Sequence, residues 1–172
     1  MKMAKSAWNK KEEGQLLVEA MVAVSLMLVG LLGIFGVLSR SLGLSRVAAD
    51  QFVAVNLASE GIEIAKNLLD SNIENNLGWN VGFSNGDTTV GYLSSTLGDC
   101  DGEELYLNAQ EGLYTCKEIG DVSSKFSRTI NISNDMANER IKIISTVTWK
   151  GRGGIVLPVE VEDHFYNWRS SP

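Results

Sequence analysis

An unbroken apolar run near the N-terminus constrains this chain more than any other feature of its sequence. The run covers residues 16–38 and holds one charged side chain, Glu19, and one other polar side chain, Ser25. At 1.5 Å of rise per residue, a helix of about 20 residues crosses the hydrocarbon core of a bilayer. The sequence therefore predicts a membrane-spanning helix over residues 15–38.

The flanks of the run differ from those of a secretory signal peptide. Such a peptide has a shorter apolar core, followed by a cleavage site with small residues, and residues 39–42 offer no such site. Four lysines precede the run, at Lys2, Lys5, Lys10 and Lys11. Only Arg40 and Arg46 follow it closely. This bias predicts that the N-terminal end stays in the cytoplasm.

The helical pattern continues beyond the apolar run. Apolar residues recur at steps of three or four at Leu44, Ala48, Phe52, Val55, Ala58, Ile62, Ala65, Leu69 and Ile73. This spacing places them on one face of a helix. No proline occurs before Pro158, and residues 75–78 are typical of a helix stop. We therefore expect residues 39–77 to form the amphipathic half of the same helix.

The last part of the chain, residues 122–172, alternates between apolar and polar side chains as strands do. The apolar positions of three strands are Ile130 and Ile132, then Ile141, Ile143, Val147 and Trp149, then Ile155, Leu157, Val159 and Val161. Turn residues separate them at 134–135 and 150–154. We expect an antiparallel sheet of three to four strands, with Pro158 on an edge or at a bulge. The amphipathic half of the helix would cover its apolar face.

The connecting region, residues 78–121, contains a predicted hairpin and both cysteines. The hairpin pairs residues 103–108 with residues 112–117. Cys100 and Cys116 would lie near its open end, where export to an oxidising compartment would favour a disulfide. In a reducing compartment the same residues would be two free thiols. Nearby, Asp99, Asp101, Glu103 and Glu104 form either a solvated acidic loop or a calcium site, and they lack the spacing of a helix–loop–helix calcium loop.

Charge and residue types bound the possible functions. The net charge of the chain is −6. The first 14 residues carry a charge of +2, so the remaining residues carry −8. An acidic body makes direct nucleic-acid binding an unexpected role, since phosphate recognition needs clustered Lys and Arg. Two cysteines and the single His164 are too few for a zinc site, and they supply no nucleophile–base pair. We therefore predict no metal, no cofactor and no catalytic residues, with a membrane-anchored enzyme or binding module as a remote alternative.

The junction between the basic tip and the apolar run is the most informative segment. Glu19 lies four residues into the predicted membrane helix, where a charge is costly unless its side chain snorkels to the headgroups or finds a partner. Gly14 lies five residues upstream of Glu19. Further along, Gly30, Gly33 and Gly36 recur every three residues. They indicate either a soft or closely packed stretch, or the glycine enrichment common in membrane helices.

In these residues the chain resembles the type IV pilin superfamily, which comprises pilins, minor pilins and the pseudopilins of type II secretion. Members have a short basic leader ending in Gly, an apolar helix directly after it, and Glu as the fifth residue after that Gly. Gly14, the run 16–38 and Glu19 match in order and spacing. The resemblance implies a pilin-like α+β fold, in which the long N-terminal helix packs on the C-terminal antiparallel sheet.

The resemblance also implies a series of processing and assembly steps. Residues 1–14 would be a leader, which prepilin peptidase cleaves between Gly14 and Gln15, and the new terminus at Gln15 would be N-methylated. The subunit would wait in the inner membrane as a single-pass precursor in contact with lipid. An inner-membrane assembly platform would then draw it into an extracellular filament of its own copies and other pilins. Glu19 would serve assembly there, and Gly30, Gly33 and Gly36 would soften the helix.

Two departures from the family pattern are visible. Gln15 replaces the apolar residue that commonly opens the mature chain, and the usual helix-breaking proline is absent. The segments 20–26 and 29–33 favour the branch of minor pilins and type I pseudopilins. The expected function is therefore a filament subunit, a minor pilin rather than a major one. A type II secretion pseudopilin is the alternative, since it shares every N-terminal feature.

Overall fold

The computed structural model describes residues 6–100, 102–116 and 122–168. The first five residues of the predicted leader, Asp101 of the acidic group, residues 117–121 and residues 169–172 lie outside these ranges. One helix, α1, covers Ser6–Glu74. Six strands follow: β1 Gly86–Thr88, β2 Glu104–Asn108, β3 Leu113–Thr115, β4 Val122–Asp135, β5 Arg140–Lys150 and β6 Val156–Tyr166. The chain divides into two compact units, Met1–Val47 and Ala48–Pro172.

Helix α1 ends where the sequence predicts a stop. Asn76 adopts a left-handed backbone conformation, with φ of 56°. The amide of Leu77 donates to the carbonyl of Asn72 at 2.9 Å, and the amide of Asn76 donates to that of Ile73 at 3.1 Å. This pair of bonds is the Schellman arrangement, which satisfies carbonyls that would otherwise be unpaired at a helix end. Asn suits the position because it tolerates positive φ better than most residues.

The sheet is antiparallel throughout, with the strand order β3-β2-β4-β5-β6 and with β1 also paired to β4. The predicted meander is confirmed as β4, β5 and β6. The sheet has six strands rather than three or four because the hairpin β2–β3 joins it through Glu104 opposite Ser127. The short strand β1 adds to it through Asp87 opposite Asn131. Its three residues carry no alternation that would identify a strand in the sequence.

The edge position of Pro158 is confirmed, since β6 forms one edge of the sheet. Pro158 lies opposite Thr148, and the register of β5 with β6 runs unbroken from Arg140 opposite Tyr166 to Lys150 opposite Val156. The strand therefore accommodates the missing amide without a bulge. The predicted turn at 134–135 is displaced, because β4 continues to Asp135 and a short 3-10 turn, Met136–Asn138, makes the connection.

The core lies between α1 and one face of the sheet, within the unit Ala48–Pro172. Alternate residues of β5 are buried: Ile141, Ile143, Ser145, Val147 and Trp149. The helix contributes Ala54, Leu57, Ala58, Ile62, Ala65 and Leu69. This arrangement confirms the predicted α+β class and the helix-on-sheet packing.

The predicted apolar stripe of α1 is not covered by the sheet over its first part. Leu44, Phe52 and Val55 are 71%, 69% and 39% exposed, whereas Ala58 and Ala65 are fully buried. Periodicity shows which residues share a helix face but not where the covering sheet ends. The buried set of α1 begins at Ala54.

Candidate assembly segment

Residues 14–38 of α1 form an exposed apolar surface in the unit Met1–Val47. Every residue of the segment is exposed; Leu26 and Leu32 are 69% and 72% exposed. The described part of the chain contains one helix that is long and apolar enough to cross a membrane, and this segment is its apolar part. Isolated apolar side chains on a surface are ordinary, but a patch this long is typical of contact with lipid or with other protein.

Glu19 is exposed within this apolar surface. It forms no hydrogen bond or ion pair with any residue that the structure describes, so none of the described side chains supplies it with a counter-ion. Gln15 lies one helical turn before Glu19, a spacing that puts both side chains on the same face of α1. Ser25, the other polar side chain of residues 16–38, is satisfied internally, because its Oγ donates to the Met21 carbonyl at 2.7 Å. Glu19 is therefore the polar side chain of residues 16–38 that has no partner among the described residues.

Gly14 and Gln15, the residues on either side of the predicted cleavage position, lie within α1 and are exposed. A Cβ atom added at Gly14 would meet no atom within 4 Å. The structure therefore gives no packing reason for glycine at this position.

Gly30, Gly33 and Gly36 likewise have nothing within 4 Å of an added Cβ atom. In a helix interior each glycine costs about 1 kcal/mol relative to alanine. No contact with another described residue compensates for this cost. The helix is thus weaker over residues 30–36 than alanines would make it, and the surface left by the glycines is open to a neighbouring helix.

The predicted disulfide is confirmed. Cys100 and Cys116 are bonded, with their Cα atoms 5.5 Å apart. The bridge closes the open end of the hairpin formed by β2 and β3, whose register places Tyr106 opposite Thr115. Because both cysteines are paired, no free cysteine remains in the described residues to act as a nucleophile.

Glu103 of the acidic group lines an open cavity of about 320 Å³. Its lining includes Asp87, Glu103 and the hydroxyl-bearing Thr88, Thr89 and Thr129. Within the described ranges, no group of three or more His, Cys, Asp or Glu side chains is placed to hold a metal ion. Asp101 of the acidic group lies outside these ranges.

His164 belongs to an exposed ion network on β5 and β6. Its Nε2 lies 2.9 Å from Oε1 of Glu162, and the Lys142 Nζ lies 2.9 Å from Oε2 of the same carboxylate. The hydrogen bonds from Lys142 and His164 lower the pKa of Glu162. The Glu162 carboxylate thus contacts His164 of its own strand, β6, and Lys142 of the neighbouring strand, β5.

The structure also contains a buried charge that the sequence analysis missed. Arg128 of β4 is 1% exposed and donates to the carbonyls of Leu57 and Val90 at 2.9 and 2.7 Å. Burial lowers the pKa of Arg128, and the nearby Glu60 carboxylate opposes that shift. The signal was available, because Arg128 falls between Phe126 and Ile130 in the inward-facing register of β4.

No protein-family model, curated protein or solved structure matches this chain. The described residues combine an α+β unit with a helix that is long and apolar enough to cross a membrane.

Proposed function

We propose that this protein is a structural subunit of a type IV pilus-like surface filament, and a minor subunit of it. One observation carries the proposal. In a single helix, Gly14 is followed by the exposed apolar residues 16–38, and Glu19 near the start of that run has no partner among the described residues. The α+β unit that follows supports it, because a helix packed on an antiparallel sheet is the fold that the resemblance to the pilin superfamily implies.

Processing comes first in this proposal. Prepilin peptidase cuts between Gly14 and Gln15 and leaves a mature chain of residues 15–172, with Gln15 as the methylated terminus. Before assembly, the precursor is held in the cytoplasmic membrane by residues 15–38. The lysines of the leader favour this orientation, with the α+β unit on the far side of the membrane.

Assembly then replaces lipid around residues 16–38 with the same segments of other subunits. The amine created at Gln15 is a cation, and Glu19 of an adjoining subunit is its counter-ion inside an apolar filament core. A desolvated charge that loses its partner costs about 3–5 kcal/mol, so the pair also selects the register of one subunit on the next. The partners are copies of this chain, other pilins and the inner-membrane assembly platform.

Mass spectrometry tests the processing step. The full chain, coexpressed with a prepilin peptidase, is expected to lose residues 1–14 and to gain the mass of a methyl group. Gly14→Leu is expected to block the cut, whereas Gly30→Leu, a matched change at an exposed glycine of the same helix, leaves it intact. An intact N-terminus, with a peptidase that cuts an authentic prepilin in the same cells, overturns the proposal.

Incorporation tests the role of Glu19. Glu19→Ala is expected to reach the membrane and to be absent from sheared filaments. Ser25→Ala, which removes the other polar group of the segment, is expected to assemble as the unaltered chain does. Normal incorporation of Glu19→Ala contradicts the counter-ion role.

A further inference from the structure

The hairpin between β5 and β6 exposes aliphatic side chains at its tip. We define the β5–β6 tip as residues 150–156. Within it, Ile155 and Val156 are 65% and 56% exposed, although the adjoining Trp149 is 4% exposed. Leaving an aliphatic side chain of this size in water forgoes about 1.5–3 kcal/mol of burial free energy. The tip is therefore a place where an apolar partner would be favourable.

The backbone of the tip is well defined. The Gly151 amide donates to the Ile155 carbonyl at 2.8 Å, and the Gly154 amide donates to the Gly151 carbonyl at 3.2 Å. Gly153 and Gly154 have φ of 82° and 78°, a region that strains other residues. These bonds and glycines hold Ile155 and Val156 away from the core between the helix and the sheet.

The tip is also cationic in an acidic protein. Residues 150–156 contain two basic residues and no acidic one, although the chain carries a net charge of −6. Lys150 is exposed and forms no ion pair with any described residue. The second basic residue in the sequence of the tip is Arg152. Adjacent aliphatic and cationic groups match the chemistry of an anionic phospholipid surface.

The tip lies at the end of the unit Ala48–Pro172 at which α1 enters it. Trp149 and the half-buried Leu157 pack in one cluster with Ala54, the first buried residue of the helix. Only residues 39–47 separate the apolar segment from this unit, so even a fully extended connection reaches roughly 35 Å. An anchored chain thus keeps this end of the unit within reach of the bilayer.

We infer that the β5–β6 tip touches a bilayer surface rich in anionic phospholipid while residues 15–38 anchor the chain. Ile155 and Val156 enter the headgroup region, and Lys150 contacts phosphate. The contact rests on the membrane anchoring in the proposed function and is independent of filament assembly. It would hold the precursor in one orientation on the membrane before assembly.

Spin labels on the full chain test this inference. Ile155→Cys carries the nitroxide, and Leu93→Cys, a 72% exposed aliphatic of the same unit, is the matched control. Label accessibility to oxygen and to a water-soluble nickel complex is measured in vesicles of phosphatidylcholine with phosphatidylglycerol. The ratio of oxygen to nickel accessibility is expected to be severalfold higher at 155 than at 93. Lys150→Glu is expected to reduce the lipid-contacting population by about fivefold or more.

A third label, on Leu26→Cys, distinguishes failure of the tip contact from failure of membrane anchoring. If the label at Leu26 lies in lipid and the ratio at 155 equals that at 93, the tip contact is overturned and the anchoring stands. A label at Leu26 that is accessible to nickel overturns both together. A high ratio at 155 that persists in Lys150→Glu and in pure phosphatidylcholine overturns the assignment to anionic lipid.

Discussion

Arg128 of β4 donates a hydrogen bond of 3.2 Å to the Glu60 carboxylate of α1, from a side chain that is fully buried. Its partner Glu60 is partly exposed to solvent, with 34% of the side chain accessible. The same guanidinium bonds the Leu57 and Val90 carbonyls, so it joins the helix, the sheet and the segment before the disulfide. Such a group is costly to bury and more costly to leave without its partners.

The two members of this pair should therefore differ in their effects on stability. Arg128→Ala strands the Val90 carbonyl and removes the charge, and we expect it to lower the free energy of unfolding by about 3–5 kcal/mol. Glu60→Ala leaves Arg128 with two carbonyl partners, and solvent screens the lost ion pair, so we expect a loss of about 1–2 kcal/mol. Urea unfolding of the full chain in detergent measures both.

Glu63→Ala is the matched control for the helix side of the pair. Glu63 is an exposed residue of α1 whose carboxylate lies 4.0 Å from Lys66. Its removal should change the free energy of unfolding by less than about 0.5 kcal/mol. Equal losses for Glu60→Ala and Glu63→Ala would show that the buried guanidinium gains nothing from its carboxylate.

Gly61→Ala should destabilise the protein although alanine is the better helix former. An added Cβ atom at Gly61 would lie 2.5 Å from the Ser145 Oγ and 2.9 Å from the Ile130 Cδ1. Overpacking of this kind costs about 1–3 kcal/mol and outweighs the gain in helix propensity. Gly33→Ala, which meets no atom, should raise the thermal midpoint in detergent. Ser145→Ala should partly rescue Gly61→Ala, and a tolerated Gly61→Ala would contradict the close approach.

The disulfide should contribute about 3 kcal/mol through the loop that it closes. The bridge spans a sequence separation of 16 residues. Cys100→Ser combined with Cys116→Ser should lower the urea midpoint by the same amount as a reducing agent does in the unaltered chain. The reducing agent should have no further effect on the double variant. A midpoint that is insensitive to both treatments would mean that the unfolded chain is already constrained there.

Asp135 should make stability depend on pH in the acidic range. Hydrogen bonds from Asn138, chiefly from its side-chain amide, lower the pKa of Asp135, and Arg140 adds to the effect. A carboxyl with a lowered folded-state pKa stabilises above its ordinary value of 3.8 and loses that contribution as pH falls through the folded-state pKa. The stability gap between the unaltered chain and Asp135→Asn should be constant near pH 7 and close below about pH 4.

Asp70→Asn controls for removing an exposed carboxylate. Asp70 forms no hydrogen bond or ion pair with the described residues, so its replacement should give only a small stability gap at pH 7. A gap for Asp135→Asn that widens on acidification would reverse the assigned direction of the pKa shift.

Local sequence pattern predicted much of the fold. Alternating apolar residues predicted β5, which buries every second side chain, and the Asn residues at 75–76 predicted the end of α1, where Asn76 adopts positive φ. The strand β1 escaped prediction because Asp87 and Thr88 become a strand only by pairing with β4. Phe52 was misplaced because the end of its covering sheet is set by strands far along the chain. At the assembly segment, sequence supplied Gly14 and Glu19, and the structure added that neither has a packing or charge partner within the described chain.

The redox state of Cys100 and Cys116 also reports which compartment the α+β unit occupies. Disulfides form in oxidising compartments and stay open in a reducing cytosol. In the proposed function, a subunit whose sulfurs are bonded would therefore have carried this unit across the membrane, and one with free thiols would not. Thiol labelling of whole cells would thus count translocated and stalled subunits from a bond lying far along the chain from the membrane segment.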